Sequence, residues 1–162
     1  MEADKKLWIY IDTSIPNHLF VDDRPDWMAD TWRLWEMLAA GGYKVFVSPV
    51  FYRELDRCPQ PKRGRMYDEL NKIKIHPLDE TDDVIELALA YISNGVLREK
   101  DWGDCLHIAQ AVVHGCDKIL SWNFSHMVND LTKGKVKVIN AISRYNEIEI
   151  VSPDEFLRGG CK

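Results

Sequence analysis

The chain lacks most of the short signatures that announce a function. Its four cysteines, Cys58, Cys105, Cys116 and Cys161, include no C-x-x-C pair, which argues against a zinc ribbon or a dithiol redox centre. Unpaired thiols fit a reducing compartment. There is no G-x-G-x-x-G, no G-x-x-x-x-G-K-[ST] and no G-x-S-x-G, so the dinucleotide loop, the P-loop and the nucleophile elbow are all missing. No apolar run approaches the roughly 18–20 residues that cross a bilayer. The opening residues 1–6, followed by five apolar positions, are too short for a secretory signal, so a cytoplasmic location without a membrane partner is expected. Internal repeats and low-complexity tracts are absent. Net positive charge is also lacking: 21 Lys and Arg stand against 26 Asp and Glu, for a formal charge of −5. That balance argues against simple electrostatic binding of nucleic acid, although the distribution of charge matters more than its sum.

What is present points to one α/β domain spanning residues 1–162, a length sufficient for its own core. The run Leu7-Trp8-Ile9-Tyr10-Ile11 reads as a fully buried strand of a parallel sheet, and it ends abruptly on Asp12. The carboxyl ends of such strands are where ligands bind in open α/β sheets. Thr13 or Ser14 caps a short helix with Pro16 in its first turn, placing backbone amides beside Asp12.

Periodicity then predicts a helix over residues 26–40, with Met28, Trp32, Trp35 and Ala39 in its stripe and Leu34 and Leu38 widening it. A strand is expected at 44–47, followed by a helix from Ser48-Pro49 to Leu55 and, beyond Pro59 and Pro61, another at 64–73. A short strand at 73–75, a helix opening at Thr81-Asp82-Asp83 and a helix at 104–114 come next. A strand at 118–122, a helix-like stretch at 135–145 and a last strand at 148–151 complete the series. Strands alternating with helices imply a parallel sheet of about five strands with helices on both faces.

Three further polar residues stand where strands hand over to helices or on the helices that follow. Glu54 lies on the 49–55 helix, either paired with a nearby arginine or turned to a site. Asp104 shares a face with His107, Ile108 and Ala111, at i+3, i+4 and i+7, and an inward carboxylate needs a partner. Asn123 ends the 118–122 strand much as Asp12 ends the first, as a turn former or a ligand. Carboxylates gathered at one sheet edge repel each other unless protonated or neutralised by a cation. All-oxygen clusters favour Mg²⁺ or Mn²⁺, which lower the pKa of a bound water and stabilise charge in phosphoryl displacement. His107 reads as a packed or hydrogen-bonded residue, and His18, His76, His114 and His126 have no convergent spacing. Between Arg57 and Lys74 six basic residues, including Lys62, Arg63 and Arg65, face two acids. This segment is a phosphate-facing arm or a solvated helix face.

Taken together, Tyr10-Ile11-Asp12-Thr13-Ser14, Ser48-Pro49-Val50-Phe51-Tyr52-Arg53-Glu54-Leu55, Gly103-Asp104-Cys105-Leu106-His107-Ile108-Ala109-Gln110-Ala111 and Ile119-Leu120-Ser121-Trp122-Asn123-Phe124-Ser125-His126 resemble the PIN-domain proteins, close to the VapC-type toxins. The resemblance covers most of the chain. It implies a three-layer fold with a metal-bound acidic pocket, endonucleolytic cleavage of single-stranded RNA leaving a 5′-phosphate, and pairing with a small antitoxin. By the same motifs Asp12, Glu54 and Asp104 correspond to the metal-binding acids. Many members carry a fourth aspartate where this chain has Asn123, and an amide oxygen adds no negative charge. Asp101, one helical turn before Asp104, is an auxiliary acid if the helix begins early. Thr13 and Ser14 are placed to hold a phosphate or a metal-bound water.

Other readings predict other neighbours. A phosphatase of the aspartyl-phosphate kind wants a second acid at Ser14, a receiver domain wants an acidic pair before the strand end, and a di-iron bundle wants paired carboxylate–histidine motifs. The remaining rival is a PIN fold that binds RNA or protein without cutting because of Asn123, with Trp27 and Trp102 serving a partner or a homodimer.

Overall fold

The computed structural model describes residues 5–159. Its centre is a five-stranded, all-parallel sheet in the order β3-β2-β1-β4-β5, built from β1 (Leu7–Ile11), β2 (Tyr43–Val47), β3 (Ile75–Pro77), β4 (Lys118–Leu120) and β5 (Glu149–Val151). Pro77 is tolerated because β3 is an edge strand, where a missing N–H breaks no ladder. Alternation along the strands sends Tyr10, Phe46, Ile119 and Ile150 into one core and Ile9, Ile11, Val45, Val47 and Leu120 into the other.

Helices cover both faces, giving three layers. The first core is closed by α5 (Asp82–Ser93), α6 (Trp102–Val113) and α7 (Asp130–Ile142), and the second by α2 (Pro25–Ala39), α4 (Lys62–Leu70) and α8 (Pro153–Gly159). Two more helices, α1 (Ser14–Asn17) and α3 (Pro49–Asp56), carry the chain away from the ends of β1 and β2. The expected fold is therefore the observed one. The chain runs outward from β1 through β2 to β3, then returns to place β4 on the other side of β1. That reversal opens a crevice between the carboxyl ends of β1 and β4, the usual ligand position in open α/β sheets.

Several local expectations shift. The buried stripe of α2 is Thr31, Leu34, Trp35 and Leu38, while Ala39 is exposed, because the stripe follows the i, i+3, i+4, i+7 face centred on Leu34. Strand β3 begins at Ile75, since residues 71–74 turn out of α4 first. Strand β4 stops at Leu120, so Asn123 lies three residues beyond its end, in a turn. Helix α7 starts at Asp130 because the Asn129 side chain accepts the Thr132 N–H and caps it. Neither Thr13 nor Ser14 caps α1 with its hydroxyl; the Asp12 carboxylate takes the Ser14 N–H instead. A single 3-10 turn, Glu99–Asp101, leads directly into α6, so the helix does begin early enough to bring Asp101 beside Asp104. No described helix is long and apolar enough to cross a membrane. Cys105 and Cys116 are buried free thiols pushed up to about 12 by burial, and Cys161 lies outside the described residues.

Candidate active site

The crevice between β1 and β4 is laced by two serines. Because Ile11 is paired with Leu120, Asp12 and Ser121 emerge level with one another, and the Ser121 hydroxyl donates to Asp12 Oδ2 at 2.5 Å. From the other side Ser14 donates its hydroxyl to Asp12 Oδ1 at 2.5 Å and its N–H at 3.0 Å. The same Ser14 oxygen accepts the Trp122 N–H at 2.8 Å, and Ser121 Oγ accepts the Asn123 N–H at 2.9 Å. Each hydroxyl thus has one donor and one acceptor role, which orients both protons onto Asp12. Asp12 is only 4% exposed, and burial raises its pKa despite the His107 charge and the serine hydrogen bonds that favour its ionised form.

Alternation places Tyr10 on the same face of β1 as Asp12, turned toward α6. The Tyr10 hydroxyl lies 2.6 Å from His107 Nδ1 and 2.7 Å from Ser48 Oγ, all within the protein interior. On the other side of the ring, His107 Nε2 donates to Glu54 Oε1 at 2.6 Å, and the Thr13 hydroxyl donates to the same oxygen at 2.6 Å. Burial pushes the Glu54 carboxyl up, but its hydrogen bond to His107, the His107 charge and the Thr13 hydroxyl outweigh this and hold it below its usual value. The reverse holds for His107: burial lowers it, yet the Glu54 bond and the surrounding acids leave it raised. His107 is therefore the hydrogen-bonded residue expected from the sequence, with a task that spacing alone did not reveal. It fixes Glu54 from behind, and among the described residues Glu54 makes no ion pair with an arginine, as Arg53 reaches Glu80 instead.

The second Glu54 oxygen points at the first turn of α6. A Cβ on Gly103 would lie 2.9 Å from Glu54 Oε2, so the absence of a side chain there lets the carboxylate reach its place. Asp104 follows on the same turn with its side chain 20% exposed, and burial raises its pKa against the opposing hydrogen bond from His126. The partner required by its inward face is His126, with Nδ1 2.9 Å from Asp104 Oδ2. Spacing had shown no convergence for this histidine; the turn at 123–128 supplies it.

These groups line a pocket of about 430 Å³ that contains Asp12, Thr13, Ser14, Glu54, Asp104, His107 and Asn123. Six of the residues singled out from the sequence thus meet in one place. Asp101 does not line that pocket; it is buried behind Asp104, against Arg98 and His126. The Asn123 side-chain oxygen accepts the His126 N–H at 3.0 Å, so it serves as a turn former. Lys62, Arg63 and Arg65 are not in the lining either. Arg63 donates to the Asp56 and Cys58 carbonyls and closes the end of α3. The basic residue that reaches the pocket is Arg57, at the start of the same segment. Trp27 and Trp102 are both half-buried: Trp102 packs on the core, and Trp27 stacks on Trp122 at 4.6 Å with the Arg24 guanidinium 3.5 Å above its ring.

The donor set fits a hard divalent cation. Asp12, Asp104 and Glu54 offer oxygen, the Asp104 charge raises the pKa of Asp12, and the Glu54 charge raises that of Asp104. Such crowding is relieved by a cation that takes a few carboxylates and leaves other positions to water and phosphate. The PIN domain family matches the chain over residues 9–123, and the chain belongs to that family. Among solved structures it is similar to VapBC2 from Rickettsia felis bound to a DNA fragment from their promoter, at 12% identity and a TM-score of 0.54, covering 90% of this chain and 98% of that one. It is also similar to VapC20 of Mycobacterium tuberculosis, a Sarcin-Ricin loop cleaving toxin, at 21% identity and a TM-score of 0.54, covering 72% of this chain and 92% of that one. No curated protein matches it.

Proposed function

We propose that the protein is a metal-dependent endoribonuclease, one PIN domain over residues 1–162, that cuts single-stranded RNA by attack of water on a backbone phosphate. The observation that carries this reading is the meeting of Asp12, Glu54 and Asp104 in one pocket at the β1–β4 crevice. Membership of the PIN family supports a nuclease. The likeness to VapBC2 and VapC20 supports a toxin with a small antitoxin as partner, and a cytoplasmic location and a homodimer belong to the same proposal.

Asp12, Glu54 and Asp104 hold Mg²⁺ or Mn²⁺. Bound there, the cation supplies Lewis acidity to the scissile phosphate and acidifies water for the attack. The chain's own residues do the positioning. Ser14 and Ser121 keep Asp12 in one rotamer, and Thr13 and His107 do the same for Glu54. The amide side chain of Asn123 and the Arg57 guanidinium remain at the rim for phosphate oxygens. Arg57 is the member of the 57–74 basic segment that lines the pocket, with Lys62, Arg63 and Arg65 outside the lining as a low-affinity extension of the phosphate path or a solvated face.

Incubating end-labelled single-stranded RNA with the purified protein, Mn²⁺ or Mg²⁺, tests the reading beside EDTA and the variants Asp12→Asn and Asp104→Asn. Cleavage leaving 5′-phosphates, abolished by EDTA and by both substitutions, is the expected result. Activity that survives EDTA and leaves a cyclic phosphate overturns it. No cleavage and no Mn²⁺ binding favours a PIN-fold binding module, a rival that the missing acid at Asn123 keeps in view.

A further inference from the structure

Behind the pocket, Asp101, Asp104 and His126 form a cluster whose ligand-type atoms all lie within 4.8 Å of one another. Resting on the metal-dependent reading above, we propose that His126 is a metal ligand of this protein. Through Nδ1 it joins Asp104 and Asp101 in holding a divalent cation, and it turns the site's preference from Mg²⁺ toward Mn²⁺.

The geometry matches. An octahedral ion with ligands at about 2.1 Å sets neighbouring donors roughly 3.0 Å apart. His126 Nδ1 stands 2.9 Å from Asp104 Oδ2 and 3.5 Å from Asp101 Oδ1. Without a cation the first distance is bridged by a proton, and a metal ion takes that proton's place while the ring keeps its other one on Nε2.

Asp101 adds an independent observation. Its side chain is 7% exposed, and Arg98 engages only Oδ2, through a backbone N–H at 3.4 Å and the guanidinium at 3.7 Å. Among the described residues Oδ1 accepts no hydrogen bond and faces His126. With Oδ2 held by Arg98, Oδ1 is the oxygen left to a cation beside Asp104 and His126. Access is open, since the His126 side chain is 34% exposed.

The turn that presents His126 is also what removes Asn123 from ligation. Asn123 Oδ1 takes the His126 N–H, and the Asn123 carbonyl takes the N–H groups of Met127 and Val128. A residue that would ligate as an acid is spent on shaping the loop, and the loop returns a nitrogen donor three positions later. Imidazole binds Mn²⁺ more readily than Mg²⁺, which keeps to oxygen.

The test uses metal alone. Mn²⁺ titrated into the full chain is followed by electron paramagnetic resonance, with pulsed detection of ¹⁴N coupling, and by calorimetry beside Mg²⁺. We expect imidazole nitrogen modulation in the parent protein that disappears in His126→Ala. We also expect an Mn²⁺ affinity lower by about tenfold or more in that variant, with Mg²⁺ affinity changed far less. Asp101→Asn should weaken Mn²⁺ binding as well. Mn²⁺ binding without nitrogen coupling, or coupling retained in His126→Ala, overturns the role of His126 and leaves the nuclease reading standing. Failure of the parent protein to bind Mn²⁺ at all overturns both.

Discussion

Glu54 and His107, on different helices and 53 positions apart, share a 2.6 Å hydrogen bond that fixes one oxygen of Glu54 and leaves the other for the pocket. The imidazole is in turn held by Tyr10 from the central strand, so a carboxylate one-third exposed is anchored to the rigid middle of the sheet. This coupling makes the site sensitive to residues that never touch substrate.

Replacing His107 by alanine should be costly to the fold. It leaves the Tyr10 hydroxyl without its imidazole partner and empties space in the core, so a loss of about 2–4 kcal/mol is expected. Urea denaturation measures it. A loss under half a kcal/mol would mean that the Tyr10–His107–Glu54 chain is not held as described.

Gly103→Ala should do the opposite. The new Cβ would crowd Glu54 Oε2 at 2.9 Å and otherwise make ordinary contact with Val50, so stability changes little, but Glu54 Oε2 must leave its position. Divalent-metal affinity should fall by about tenfold with a nearly unchanged urea midpoint. Equal metal affinity in calorimetry would show that Glu54 has no part in binding.

Metal binding should stabilise the protein in a pH-dependent way. Burial raises Asp12 and Asp104 in the folded protein above the ordinary aspartate value of about 3.9. Their contribution to stability is fully present below that unfolded value and is lost as pH rises through the folded values. A cation reverses this penalty by favouring the ionised forms, whereas protons compete with it. Saturation at about 100 times the dissociation constant adds ~2.7 kcal/mol. The Mn²⁺-induced rise in Tm should therefore be larger at pH 8 than at pH 5, and a rise that grows on acidification would contradict the carboxylate site.

Arg57 and Arg63 should separate by readout. Arg57→Ala ought to weaken single-stranded RNA binding and reduce the salt slope by about 0.7, the value of one phosphate contact on a single strand. Arg63→Ala instead loses two carbonyl contacts at the end of α3 and should cost about 1 kcal/mol of stability with little change in slope. Filter binding of Asp12→Asn-based double variants across salt concentrations, with urea melts alongside, checks both.

Much of this was legible in the chain because its strongest signals are local. The apolar run ending on Asp12, the Ser48-Pro49 helix start and the Thr81 cap each state their structure within a few residues. The misreadings share a different cause. Ser121 and Trp122 look like a continuation of β4, yet Ser121 spends its hydroxyl on Asp12, and that contact spans 109 positions. The helix-like stretch expected from residue 135 starts at Asp130 instead, because the Asn129 cap outweighs the weak helix formers Thr132 and Gly134. His126 and His107 gave no periodic sign of their partners, since both partners lie on other elements.

The lacing of Asp12 by Ser121 also has a meaning in time. The first strand leaves synthesis early, but the partner that orients its terminal carboxylate is made more than a hundred residues later and arrives only when β4 slots in beside β1. Without β4 the Asp12 carboxylate has only the local Ser14 contacts to Oδ1, and the partner of Oδ2 is missing. The complete cradle of Asp12 is thus a property of the β1–β4 pairing and not of the first strand and its turn alone.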